Sequence, residues 1–155
     1  MNPLSFLILS LLCLGWGVLC GAVVYEHLAV IPQWTREPPR SLTMWNGPFG
    51  LKAERFWMAI HPVLLLLLAG ALVLEWEHAQ RRLWLGVTAG LYAVIIAATA
   101  AYYLPELLKL TREPQAPIPP PEWRRRARRW ELWSFPRSAL VLVLAFPLLF
   151  VLSTL

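Results

Sequence analysis

The residues able to do chemistry in this chain stand where apolar stretches are interrupted. Glu26 and His27 break the run 4–31, and His61 sits just before Pro62. Tyr102 and Tyr103 precede Leu104-Pro105-Glu106, and Arg137 follows Pro136. An imidazole titrates near neutrality and can move a substrate proton. A neighbouring carboxylate can orient it, and a guanidinium can hold developing oxyanion charge. Aromatic rings such as Trp57 and Trp130 can wall an apolar ligand. A charged group near the centre of a spanning helix costs about 2.5–3.5 kcal/mol on insertion scales, and less near the end, where Glu26 and His27 lie. Such a pair is a functional candidate by default.

Other chemistries lack their residues. There is no serine-nucleophile motif, phosphate-cradling glycine loop or paired-cysteine redox site. Cys13 and Cys20 are about two turns apart on one helix, too far to bridge, and read as buried small hydrophobes. His27 and His61 on neighbouring helices could ligate haem or a metal, but neither belongs to an His-x-x-x-His or Glu-x-x-His pair. The expectation is no cofactor, with haem or metal through those two histidines as the minority alternative.

The elements that position these residues follow from composition. The chain has 155 residues, 58% hydrophobic and 15% charged, against about 25% charged in soluble domains. It reads as one integral membrane domain, without a cleaved leader at its apolar start. The net charge of +5 comes from arginine clusters beside the spans, which points to anionic lipid and membrane orientation, not to nucleic acid.

Spans are predicted at about 4–31, 56–76, 83–104 and 138–155, giving an all-α, integral membrane four-helix antiparallel bundle with interfacial loop helices. Prolines make 32–40 a loop, and 41–50 is rich in turns and aromatics. Glu75, Glu77, His78, Arg81 and Arg82 form a hairpin expected to be solvated. Prolines make 111–121 an extended linker. Residues 122–133 form an amphipathic Trp/Arg helix expected to lie in the interface. Gly86, Gly90, Ala93, Ala97 and Ala100 recur at helix-packing spacing.

All 14 lysines and arginines except Arg81 and Arg82 fall in the first and third connections. The positive-inside rule then puts the termini outside and the long loops in the cytoplasm, with a bacterial inner membrane as the expected location. Antiparallel packing brings Glu26, His27, His61, Tyr102, Tyr103, Glu106, Trp130, Glu131 and Arg137 to one end of the bundle.

Four features together resemble the anthrone oxygenase-like family of small bacterial membrane proteins. They are the four-span layout, the His61-Pro62 step, the exit Tyr103-Leu104-Pro105-Glu106-Leu107-Leu108, and the entry Arg129-Trp130-Glu131-Leu132-Trp133-Ser134-Phe135-Pro136-Arg137. Glu106 and Ser134 stand where members often carry asparagine. The family name comes from members that oxygenate polycyclic anthrones without a metal, while most members have no assigned activity. The resemblance implies a hydrophobic aromatic or quinone-like ligand, with His27 or His61 as base, Glu26 or Glu106 orienting it, and Arg137 holding oxyanion charge. Trp57, Tyr102, Tyr103 and Trp130 would bind the substrate. Besides the bilayer and this small molecule, a homo-oligomer or a larger membrane complex is the further partner expectation. The competing readings are a non-catalytic accessory subunit and a bis-histidine haem protein.

Overall fold

A computed structural model describes residues 2–112 and 121–155, so most of the proline-rich linker expected at 111–121 lies outside the described residues. The described chain is all-helical. Four helices are long and apolar enough to cross a membrane: α1 (Pro3–Arg36), α2 (Ala53–Leu74), α3 (Ala79–Arg112) and α4 (Pro121–Ser153). This is an integral membrane four-helix antiparallel bundle. α1 starts sharply because the Asn2 side chain accepts from the Leu4 amide at 3.0 Å and Pro3 occupies the first turn, where no amide donor is needed. α1 packs on α2 and α4, and α3 packs on the same two. At the α1–α2 crossing a Cβ on Gly15 would come within 2.9 Å of Leu64, so the missing side chain permits the close approach.

Length divides the molecule into two storeys. α2, with 22 residues, spans about 33 Å, close to the roughly 30 Å hydrocarbon core. α1 and α3 have 34 residues each and α4 has 33, about 50 Å apiece. Three helices therefore overshoot α2 at one end and form an extension. Each storey has its own core. Leu9, Leu12, Trp16, Leu64, Leu68, Leu85, Tyr92 and Leu148 belong to the bundle core. Ile31, Trp34, Leu110, Trp123, Ala127 and Trp130 belong to the core of the extension.

Three expectations are corrected. The segment 32–40 is not loop throughout: α1 continues to Arg36, because a π-helical turn over Glu26–Val30 precedes a fresh α segment with Pro32 in its first turn. In that position the absent amide leaves no bond unmade. α3 uses the same device, a π-helical turn over Thr99–Tyr103 followed by Leu104-Pro105, and runs to Arg112 instead of stopping at Leu104. Residues 122–133 are helical as expected, but they continue unbroken into the fourth span as far as Val143. Trp123, Ala127 and Trp130 are buried in the core of the extension, so that face is covered by α1 and α3.

At the opposite end the hairpin is exposed at Glu77 and His78, as expected, but its first carboxylate is not solvated. Glu75 is 2% exposed and accepts from Arg81 Nη1 at 2.8 Å, with His78 Nδ1 at 3.3 Å. Arg81 in turn reaches the carbonyl and hydroxyl of Thr154, which ties the α2–α3 hairpin to the end of α4.

Candidate functional site

Each helix is irregular toward the end where the extension begins. α1 and α3 carry the π-helical turns, α2 contains Pro62 and α4 contains Pro136. Such interruptions free backbone carbonyls and re-aim side chains. Aromatic donors tie the helices together here: Trp130 Nε1 donates to the Tyr103 carbonyl at 2.9 Å and Tyr103 Oη donates to the Trp133 carbonyl at 2.7 Å.

Arg137 is the centre of this region. Its Nη1 donates to Thr99 Oγ1 at 3.2 Å, and its guanidinium carbon lies 4.4 Å from the centroid of the Tyr103 ring, a cation–π distance. Glu26, at the start of the α1 π-turn, and His61 both lie within its electrostatic reach. Among the described residues no direct ion pair joins Glu26 to Arg137. A guanidinium has five N–H donors. Among the described residues one is used here, and the Glu26 carboxylate is near enough to feel its charge. On α4, Ser134 lies one turn before Arg137 and Ser138 next to it in sequence; among the described residues both are buried and both hydroxyls lack a partner.

The remaining candidates divide between two neighbourhoods. His61 Nδ1 lies 2.7 Å from the buried Tyr92 hydroxyl, and the Trp57 ring stacks on the imidazole at 5.8 Å with 20° between planes. Tyr92 also contacts Trp16, ring to ring at 4.8 Å. His27 faces elsewhere: its Nδ1 lies 2.9 Å from the Val23 carbonyl and Phe135 approaches edge-on at 6.1 Å. A carbonyl only accepts, so Nδ1 carries a hydrogen, and the other ring nitrogen is Nε2. That atom is buried and unpartnered.

Glu106, Tyr102 and Trp130 stand apart from the guanidinium. Glu106 accepts from Arg126 Nε at 2.8 Å in the extension. Tyr102 is half-buried, edge-on to Tyr103 at 5.1 Å. Trp130 packs edge-on against Trp34 at 5.7 Å and supports Tyr103 from behind.

Sequence reasoning alone does not single out Thr99, Tyr92, Ser134 or Ser138 as site residues. Thr99 is one turn before Tyr103 and Ser134 one turn before Arg137, so a signal exists for these two once Arg137 is taken as the centre, and none for Ser138. Tyr92 has none, because its meeting with His61 depends on the α2–α3 register. No group of three His, Cys, Asp or Glu side chains is placed to hold a metal among the described residues. Two open clefts, about 470 and 550 Å³, lie on the extension and not at Arg137. The arrangement around Arg137 can offer several donors, one acid and the His61 imidazole to a polar group carried into the bundle. No family model, characterised protein or solved structure matches this chain, so the case rests on its own geometry.

Proposed function

We propose that this protein binds a hydrophobic aromatic or quinone-like small molecule drawn from the bilayer, with the oxygen end of the ligand on Arg137. The observation that carries this reading is a guanidinium with one hydrogen bond and an acid within its electrostatic reach, with no ion pair between them among the described residues. A cation at membrane depth is costly unless something receives its donors. Tyr103 and Thr99 hold the guanidinium in place, Trp57 supplies an aromatic face through His61, and Glu26 accepts from a ligand hydroxyl.

In the oxygenase form of this reading, His27 Nε2 or His61 takes a substrate proton and Arg137 holds the resulting oxyanion before dioxygen adds. No cofactor takes part. The basic end of the bundle faces the cytoplasm of a bacterial inner membrane.

Titrating a short-chain quinone into protein held in lipid nanodiscs, read by tryptophan fluorescence, tests the binding step. Arg137→Gln should weaken binding about tenfold or more, the scale of a lost charge-assisted hydrogen bond. Equal affinity in the two proteins would refute it.

A second reading, the accessory subunit, has its own support. Gly17 and Gly21 on α1 and Gly86 and Gly90 on α3 have open space where a Cβ would stand, so those surfaces are free to take a partner helix. A stable, quinone-binding monomer in nanodiscs, weighed by light scattering, would count against that reading.

A further inference from the structure

On the extension, between α1 and α4, lies a cleft of about 470 Å³ lined by Thr35, Trp123, Arg124, Arg128, Glu131 and Leu132. Arg124 and Arg128 are one turn apart on α4 and both are exposed. The ion pairs nearby engage other arginines: Arg125 with Glu122 at 3.8 Å and Arg126 with Glu106 at 2.8 Å. Neither Arg124 nor Arg128 pairs with an acid among the described residues.

What continues below the cleft decides its occupant. The spacing Arg124, Arg128, Leu132, Phe135, Leu142, Phe146 keeps to one face of α4. The four apolar members are 64%, 67%, 38% and 72% exposed. This stripe is cationic at the top and apolar for the rest of its length. From Arg128 to Leu142 it covers about 21 Å, the depth of one leaflet in a bilayer 40–45 Å thick overall.

We propose that this stripe is a seat for one anionic phospholipid, its phosphate between Arg124 and Arg128 and an acyl chain along Leu132, Phe135 and Leu142. The charge order matches a lipid and no soluble anion, because a free phosphate would leave the apolar length unused. Glu131 on the cleft wall opposes a bare anion but accepts hydrogen bonds. A headgroup with hydroxyls beside its phosphate satisfies the arginines and Glu131 together, so the structure points to a glycerol headgroup over choline. The polybasic segment thereby holds a particular lipid, beyond setting orientation.

Delipidated protein in mild detergent, titrated with phosphatidylglycerol and with phosphatidylcholine and followed by native mass spectrometry, tests the seat. Phosphatidylglycerol should bind in preference to phosphatidylcholine, and millimolar inorganic phosphate should not displace it. The double variant Arg124→Gln with Arg128→Gln should bind about thirtyfold more weakly, following the usual contribution of two juxtamembrane cations. Arg125→Gln with Arg129→Gln removes the same charge and should lose less than about threefold. Displacement by phosphate means a plain anion site, equal binding of phosphatidylcholine means ordinary annular lipid, and equal loss in both double variants means diffuse surface charge. Each of these overturns the proposal. Should the first variant fold poorly, a photoactivatable phosphatidylglycerol added to the native protein must crosslink to residues 122–135, and crosslinking confined elsewhere overturns it as well.

Discussion

Trp130→Ala is expected to loosen the three-helix extension by about 3–5 kcal/mol, the cost of deleting a buried tryptophan, while the bundle stays folded. Trp130 is 2% exposed and stands between both long partners of α4: its ring meets Trp34 of α1, and its indole N–H caps the Tyr103 carbonyl of α3. Truncation leaves a cavity and also removes the indole hydrogen bond that links α4 to the Tyr103 carbonyl. The bundle core contains neither Trp130 nor its contacts. Hydrogen exchange resolved by peptide is the measurement. Amides in 104–112 and 121–133 should lose protection while those in 9–25 and 83–98 keep it. Uniform loss across both sets would show that the two cores unfold as one unit. Trp130→Phe keeps much of the ring and should cost about 1–3 kcal/mol, for the lost indole hydrogen bond and the smaller side chain.

Glu75→Ala should lower stability by about 3 kcal/mol, because it leaves Arg81 with its main anionic partner gone in a largely buried setting. Burial pushes the Glu75 carboxyl up, but the Ser5 hydroxyl beside it, the Arg81 hydrogen bond and charge, and the His78 charge outweigh burial. Together they hold it below its ordinary value of 4.5. A carboxylate with a depressed folded pKa contributes stability that is present above the unfolded value and is lost as pH falls through the folded one. The native protein should therefore keep its unfolding midpoint from neutral pH down to about 4.5 and lose stability below it. Glu75→Gln should start lower and show a flatter acid limb. Denaturation in detergent at a series of pH values reads both effects. Parallel acid limbs in the two proteins would remove Glu75 as the source.

The membrane class and the four helices are legible in the sequence because apolar runs of that length are stable in few settings besides a bilayer. So is the end at which Glu26, His61, Tyr103 and Arg137 gather, since antiparallel topology alone forces those helix ends to one face. What escapes the sequence has common physical causes. Prolines at 32 and 105 read as helix ends, but a π-turn just ahead lets the helix restart with proline in a position that needs no donor. The Trp/Arg segment reads as a surface helix because its tryptophans share a face, and the periodicity alone does not say whether lipid or protein covers that face. Glu75 reads as solvated because hairpin carboxylates usually are, but Ser5, distant in sequence, lies beside it and Thr154 holds its partner Arg81. The Tyr92 hydroxyl against His61 depends on how far α2 slides along α3, which side-chain periodicity does not encode.

The two π-turns are also phase shifts. Each carries one residue more than an α-helical turn needs, and one residue is worth about 100° of rotation about the helix axis. Everything after Val30 in α1, and after Tyr103 in α3, is turned by that amount relative to what an unbroken helix would give. Trp34 and Leu110 reach the core of the extension on that offset heading, while Trp16 and Tyr92 face the bundle core on the original one. The upper and lower storeys are thus aimed independently along the same two rods. In residues 26–30 and 99–103, the number of residues matters to the fold as much as their identity. An insertion or deletion there would leave hydropathy almost unchanged and still point one storey's aromatic side chains the wrong way.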